Sequence, residues 1–381
     1  MVDQERERSV LHIGDKLSAR GSSIHGVGRM FSWWFPVFEK MGYEPKLCVL
    51  TARDKAADYL EERGIEVNYL GRSKFDARLL TDLIRIMRTQ SPDVVHLHGY
   101  GAWTFGRLAA RLTGTPVVLH EHMVGDHVSL IQRISDFLLS SNNPTCAISR
   151  AVADFCTRYR YVREEDIVVV PNGIPLTEFT PPSATELESL RRQLDVSETT
   201  PLIGCVGRLD PIKGFDYLIK AMPILRENLP DIVALIVGDG DQEASLRKLS
   251  GELGVSENVR FLGFRKDIHA LLALLDVVVI PSLSEGQCLA ALEALAMGKP
   301  IVSTNVGGLR ELFEDQVTAL LTKEQDPEDI ADKIIDLLAD QALRERLGTA
   351  ARRLASERYD IEKCAAKIID TYNTTLDKNV G

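Results

Sequence analysis

Ser282–Gly308 reads SLSEGQCLAALEALAMGKPIVSTNVGG, and the run that leads into it, Val277-Val278-Val279-Ile280, stops at Pro281. That run is short, bounded by turn residues and apolar throughout, which predicts a strand buried on both faces of a parallel sheet. Cys288 to Met297 is rich in Ala and Leu and contains no breaker, so it predicts a helix. Gly298 stands at the C′ position, Pro300 follows, and Ile301-Val302-Ser303 opens the next strand. The order is strand, turn, helix, strand, the repeat of an open α/β sheet.

Two carboxylates interrupt this unit. Glu285 lies in the turn, and Glu293 sits eight positions later inside the apolar helix. A carboxylate buried there without a partner is costly, so Glu293 has to be neutralised, hydrogen-bonded or turned to a cleft. The helical rise places it about 9 Å along the helix. Both side chains could then line one crevice at the carboxyl end of the strand, where open α/β sheets bind ligands. The local pattern fits equally well a solvated turn Glu and a helix Glu in a structural salt bridge.

A chain of 381 residues is too long for one ordinary core and suits two domains. Apolar residues make up 45% and charged residues 26%, the balance of a soluble globular protein. No stretch approaches the roughly 18 apolar residues of a membrane span. MVDQERERSV is charged and runs straight into a strand, so a secretory signal is not expected. The six cysteines (48, 146, 156, 205, 288 and 364) lack metal-site spacing and suggest reduced thiols in a cytoplasmic protein. Residues 1–180 hold 22 basic and 22 acidic groups, so the excess behind the net charge of −10 falls in the remainder. An acidic chain with no basic tract is a poor nucleic-acid binder. The balanced first half leaves room for contact with the inner face of a membrane.

In the first half, Val10-Leu11-His12-Ile13 predicts a strand. The loop Arg20 to Gly28 then leads to a helix from Met30. Small residues before a helix N-terminus make an anion site plausible, and a tight turn explains the pattern equally well. Trp33, Trp34, Phe35 and Phe38 surround Pro36 and are expected in the core, with an acceptor or membrane face as the alternative. Two later strands end alike, in PDVVHLHG (Pro92–Gly99) and PVVLHEH (Pro116–His122). Alternation puts His96 with His98, and His120 with His122, on one strand face, so four histidines are expected at one crevice. Hydrogen bonds to a ligand are the preferred use of that cluster; a metal is disfavoured by the absence of Cys or Glu company at tight spacing. Further α/β alternation ends at Pro171-Asn172-Gly173-Ile174-Pro175, a turn cluster that marks a domain boundary.

The second half alternates in the same way after a linker. Leu202 to Val206 predicts a strand, and Gly207-Arg208-Leu209-Asp210-Pro211-Ile212-Lys213-Gly214 follows it. A guanidinium fork and a mobile ammonium five positions apart in a strand-to-helix loop suit a diphosphate.

At this point the ordered set of motifs resembles glycosyltransferase family 4, nucleotide-sugar enzymes of the GT-B fold. The set is GRLDPIKG, IVGDG (Ile236–Gly240), FLGF (Phe261–Phe264), SEGQCLAALEALAMGKPIV and NVGGLREL, preceded by PDVVHLHG, PVVLHEH and VVPNGI. The resemblance covers nearly the whole chain. It implies two facing Rossmann-like doubly wound domains, with the last helix crossing back onto the first. Residues 1–175 with about 360–381 would form an acceptor-binding domain, and 176–359 a donor-binding domain.

The resemblance also implies roles. Glu293 should hold the ribose hydroxyls, and Glu285 a hydroxyl of the donor sugar, with the N–H groups of Gly286, Gln287, Cys288 and Leu289 near the phosphates. Arg208 and Lys213 should bind the departing diphosphate, and His122 should stand beside the sugar's reacting carbon. Gly26, Phe264 and Arg265 complete the expected donor site; His98, Gly99 and His120 are the expected acceptor contacts. The implied reaction is retaining transfer of a hexosyl or N-acetylhexosaminyl group, with a UDP-sugar favoured over a GDP-sugar. The acceptor is a glycan, a small molecule or a lipid-linked group. No cofactor and no metal are implied, Asp239-Gly240-Asp241 being read as a structural turn. The sequence departs from the family at His25-Gly26, at Gln287-Cys288 beside the sugar, and at Ala319. A sugar-nucleotide epimerase and a non-catalytic nucleotide-sugar binder are the alternative readings.

Overall fold

A computed structural model describes residues 7–18, 22–24, 26–73, 75–125, 128–140 and 142–380. The expected loop residues Arg20, Gly21 and His25 lie outside these. The chain divides into two compact units, one of residues 1–19, 24–173 and 361–381, the other of 20–23 and 174–360.

The first unit is built on seven strands: β1 Arg8–Gly14, β2 Tyr43–Val49, β3 Val67–Tyr69, β4 Val94–His98, β5 Val117–Glu121, β6 Thr145–Ala147 and β7 Ile167–Val169. All pair in parallel, in the order β3-β2-β1-β4-β5-β6-β7. Parallel neighbours need crossover connections, supplied here by α1 Gly26–Lys40, α2 Ala56–Glu61, α3 Arg78–Gln90, α4 Arg107–Thr113, α5 Leu130–Leu138 and α6 Arg150–Tyr159. β4 and β5 are buried along their length and β1 from Ser9 onward, which is why they lack the alternation of a half-exposed strand.

The second unit repeats the plan with six strands. Its elements are α7 Ala184–Gln193, β8 Leu202–Val206, α8 Phe215–Asn228, β9 Val233–Val237, α9 Glu243–Glu252, β10 Val259–Gly263, α10 Ile268–Leu274, β11 Val277–Ile280, α11 Leu289–Ala296, β12 Ile301–Thr304, α12 Leu309–Leu312, β13 Leu320–Thr322, α13 Pro327–Ala339 and α14 Gln341–Arg358. The order is β10-β9-β8-β11-β12-β13, again parallel throughout. Both sheets are therefore doubly wound, with the strand order reversing between β1 and β4 and between β8 and β11. The last helix, α15 Ile361–Val380, returns to the first unit and packs on α1 and β5, burying Ile368 and Tyr372.

The stretch that decides the fold behaves as read: β11 ends at Ile280, α11 spans Leu289–Ala296 and β12 begins at Ile301. Gly298 takes a positive φ of 63° just past the helix. The aromatic cluster follows its expected core reading, and one helix is less regular than its neighbours. The helix between β4 and β5 opens as a wider π-type turn, Ala102–Gly106, before α4. Residues 316–318 form a turn, and Ala319 follows it directly before β13. The aromatic cluster is core: Trp33, Trp34, Phe35 and Phe38 are all buried, so it offers no face to a lipid or acceptor.

Candidate functional site

In the second unit the two loops at the strand reversal are locked together. The β8 loop ends in the short turn Pro211–Lys213, where the Asp210 carboxylate accepts the Ile212 N–H at 3.2 Å as its cap. Leu283 in the β11 loop donates its N–H to the Ile212 carbonyl at 2.8 Å. Lys213 and Glu285 meet there, Nζ to Oε1 at 2.5 Å, and the Ser282 hydroxyl donates to the same carboxylate at 2.9 Å. The Ser282 carbonyl in turn accepts from the Thr304 hydroxyl at 2.6 Å, fixing the turn to β12. Arg208 stands in the same loop as Lys213 and pairs with Asp210 at 3.2 Å.

The glycines of NVGG explain themselves against Glu285. Gly308 donates its N–H to the Glu285 carbonyl at 2.8 Å. Gly307 has φ +44°, and a Cβ on it would sit 2.3 Å from the same carbonyl oxygen. Only glycine allows that backbone to lie against the carboxylate-bearing turn. The IVGDG turn braces the other loop, with Gly207 and Leu209 donating N–H to the Val237 and Asp239 carbonyls, each at 2.9 Å.

Electrostatics keep this cluster charged at its cation. Burial pulls the Lys213 ammonium down, but the Glu285 carboxylate more than offsets it, and the net shift is upward although Arg208 opposes it. Cys288, buried beside them, has its thiol pushed up to about 12 by burial and by Glu285, so it is a neutral thiol there. Of the other expected donor residues, Gly286 is buried and Gln287 and Leu289 are half-buried in the same turn. Glu293 lies on α11 with none of its surface exposed. Phe264 is exposed, while the Arg265 guanidinium is turned to Asp267 with contacts of 2.7 and 2.5 Å.

In the first unit the histidines do not line a crevice. The registers set His12 opposite His96 and His98 opposite His120. The imidazoles therefore form a stripe across one face of three strands. Hydrogen bonds join His12 Nδ1 to His98 Nε2 (3.1 Å), His98 Nδ1 to His122 Nε2 (2.9 Å) and His120 Nδ1 to His96 Nε2 (3.2 Å). His96 Nδ1 meets the Tyr372 hydroxyl at 2.6 Å. His12 packs among Phe31, Phe35 and Phe38, and Trp34 stacks on His120 at 5.3 Å.

Four of the five rings are buried, and burial pulls His12 and His120 down to about 3. It holds His96 and His98 well below the ordinary histidine range, helped by neighbouring imidazoles. The expected acceptor contact His120 is thus corrected to a core residue, sealed under Trp34. His98 is likewise buried and acts on its surroundings through His122, which is half-exposed beyond β5. Gly99 turns at φ +97° against the Asp15 carboxylate, which accepts from the N–H groups of Gly101 and Ala102. Gly26 is exposed at the first position of α1.

Among the described residues, three groups of side chains bring possible cation ligands together: His12 with His96 and His98; His96 with His120 and Cys146; His98 with His120 and His122. Within them the paired nitrogens stand at hydrogen-bond separation and already share protons with one another.

Several residues escaped the sequence reading. Ser282, adjacent to a recognised motif, gave no signal of its own. His12 was passed over because a single histidine in an apolar strand is unremarkable until the register with His96 is known. A buried ionic cluster was also invisible. Asp136 on α5 accepts from Arg107 and Arg160, each at 2.5 Å, Arg160 also pairs with Glu121, and Arg160 lies over the Trp103 ring at 3.9 Å. Glu121 accepts the backbone N–H groups of His122 and Met123, so this cluster fixes the segment that carries His122.

Comparison with known proteins agrees with this geometry. The family model described as Glycosyltransferase Family 4 matches residues 7–178, and that described as Glycosyl transferases group 1 matches 187–354. The D-inositol 3-phosphate glycosyltransferase of Xylanimonas cellulosilytica is 33% identical over 302 residues, spanning 74% of this chain and 71% of the relative. The UDP-Gal:alpha-D-GlcNAc-diphosphoundecaprenol alpha-1,3-galactosyltransferase of Escherichia coli is 28% identical over 308 residues, covering 78% and 79%. In fold, the chain is similar to Anabaena Alr3699/HepE in complex with UDP, with a TM-score of 0.83 at 24% identity over 96% of this chain and 100% of that one. Two doubly wound parallel units, the interlocked loops at the second reversal and both family matches lead to one assignment: the chain belongs to glycosyltransferase family 4, with the GT-B fold, and is a glycosyltransferase that uses nucleotide sugars.

Proposed function

We propose that this chain is a retaining glycosyltransferase that moves a hexosyl or N-acetylhexosaminyl group from a nucleoside-diphosphate sugar to an acceptor, with a UDP-sugar favoured. The observation that carries the proposal is the Lys213–Glu285 pair, 2.5 Å apart at the strand reversal of the second unit with Arg208 in the same loop. Cleavage of the sugar–phosphate bond develops negative charge on the leaving diphosphate. A cation held protonated by its neighbour, with a second cation beside it, stabilises that charge without reorganising. Ribose hydroxyls would donate to the Glu293 carboxylate, and the N–H groups that open α11 would face the phosphates. Glu285, fixed by Lys213 and Ser282, is assigned to a donor-sugar hydroxyl. His122, fixed through His98, is assigned to the transferred sugar. The departing phosphate takes the acceptor's proton in this scheme, so the two glutamates are not an acid/base pair. The preference for uridine is supported by the UDP-Gal in the relative's name and by the UDP and UDP-glucose in the neighbour's complexes. That relative's acceptor is lipid-linked, and we extend the same class to this chain as the first acceptor to try.

A panel of UDP- and GDP-sugars incubated with the full chain tests the reading. Slow release of nucleoside diphosphate supports transfer, with UDP released fastest and the anomeric configuration kept in any product. Isomerised sugar nucleotide would replace the reading with an epimerase. Tight binding with unchanged donor would replace it with a binder.

A further inference from the structure

The helix α5, Leu130–Leu138, is mounted inside out. An amphipathic helix at a protein surface normally turns its apolar stripe inward. Here Leu130, Ile131, Ile134, Phe137 and Leu138 are all exposed, each with at least half of its surface open. At 100° per residue they fall on one stripe. The inward side is polar and firmly held, with Asp136 wholly buried between Arg107 and Arg160. Such an anchor fixes the helix in this orientation, because the ion pairs would be broken if it rolled its apolar stripe inward. A contiguous apolar surface of this kind on a rigid mount marks an interaction site.

We propose that α5 is a docking helix that lays its outer stripe on the surface of a phospholipid bilayer. Charge selects that partner. Within Leu130–Leu138 the sole acidic group is the buried Asp136, and Arg133 is the one charged side chain that faces out. Nothing on the helix's outer surface repels anionic headgroups. The edge of the stripe has the make-up of a membrane interface as well. Phe137 packs on Tyr161 at 5.6 Å, and Arg133 donates to the Tyr161 hydroxyl at 3.3 Å. Apolar bodies thus point out while a phenol and a guanidinium sit at the rim, the distribution that suits the headgroup boundary. An interfacial helix of this kind lies flat, and among the described residues no helix is long and apolar enough to cross a membrane. The proposal stands on the first unit alone and is independent of the donor and reaction assigned above.

Vesicle flotation with the full chain tests it, using phosphatidylcholine vesicles with and without phosphatidylglycerol. The wild-type chain should float with both and more strongly with the anionic ones. The variant Ile134→Gln/Phe137→Gln/Leu138→Gln, changed only at exposed positions, should lose at least about tenfold in partitioning while keeping its donor turnover. Arg133→Gln should reduce the preference for anionic vesicles about fivefold. A gain-of-signal variant guards against misfolding: Ile131→Trp should shift its emission to the blue and be quenched by brominated lipid, since the three native tryptophans are buried. A chain that ignores both vesicles, or a glutamine variant that floats as well as the wild type, overturns the proposal. So does a concentration-dependent dimer that the glutamine variant dissolves while neither protein floats; the stripe's occupant would then be a second copy. Loss of turnover with flotation intact would count against the reaction proposed above and leave the docking helix standing.

Discussion

Lys213 and Glu285 sit 72 positions apart in sequence and share one hydrogen bond of 2.5 Å. Because the carboxylate keeps the ammonium protonated, Lys213→Ala should remove a fixed cation and not merely a hydrogen bond. Turnover of the preferred donor should fall by roughly 10²–10³, as for loss of one donor to a developing anion. Steady-state release of nucleoside diphosphate measures this, and near-normal turnover would refute the role. Gly307→Ala approaches the same residue from its backbone. A Cβ 2.3 Å from the Glu285 carbonyl must push the turn away, so donor turnover should fall although no side chain in the site has changed. An unperturbed rate would show that the turn has room to yield. At this scale the motifs GRLDPIKG and SEGQ were legible because residue types in a known order carry them. Ser282 and the clasp from Gly307 were not, since a serine and a glycine acquire their meaning only from what the fold sets beside them.

Among the elements, β11, α11 and β12 were legible because each local signal agreed with the next: apolar run, breaker-free helix, closing glycine. The helix α5 was passed over for the opposite reason. Its apolar residues do not join the core, and the cluster that holds it draws on Arg107 from α4, Asp136 from α5 and Arg160 just past α6. No spacing rule links those positions. The cluster predicts that Asp136→Ala leaves two buried guanidinium groups without their shared carboxylate. Breaking such a pair costs about 3–5 kcal/mol, so the thermal midpoint should fall by several degrees or more. Removing the exposed Phe137 side chain should leave it nearly unchanged. Equal effects from the two variants would mean that α5 is held by its apolar stripe and not by the ions. The four histidines were legible as a cluster but not in their setting. A strand face points to the core or to a crevice according to what covers it, and here α1 and α15 cover it.

For the whole molecule, alternation of strands and helices sufficed to predict two doubly wound halves, because parallel sheets require a crossover at every step. The return of α15 to the first unit has no signal in the helix itself and was legible only through family resemblance. Its consequence is concrete. The His96–Tyr372 bond ties the end of the chain to the central strand β4, so Tyr372→Phe should leave a buried imidazole nitrogen without that partner and cost about 1–3 kcal/mol.

The histidine stripe also makes the first unit acid-sensitive. Its buried rings are neutral when folded, with His12 and His120 at about 3 against an ordinary value of 6.5. The unfolded chain therefore binds more protons throughout that interval. The stability they confer is full above about pH 6.5 and drains as pH falls towards 3, by about 1.4 kcal/mol per pH unit for each histidine. All three tryptophans, Trp33, Trp34 and Trp103, belong to the first unit, so tryptophan fluorescence reports its unfolding separately. The urea midpoint seen by fluorescence should drop steeply between pH 7 and pH 5, and the drop should be shallower in His12→Phe, which removes one titrating ring. A fluorescence midpoint that stays level across that range would mean the stripe is already protonated in the folded state, and the neutral hydrogen-bonded arrangement would have to be abandoned.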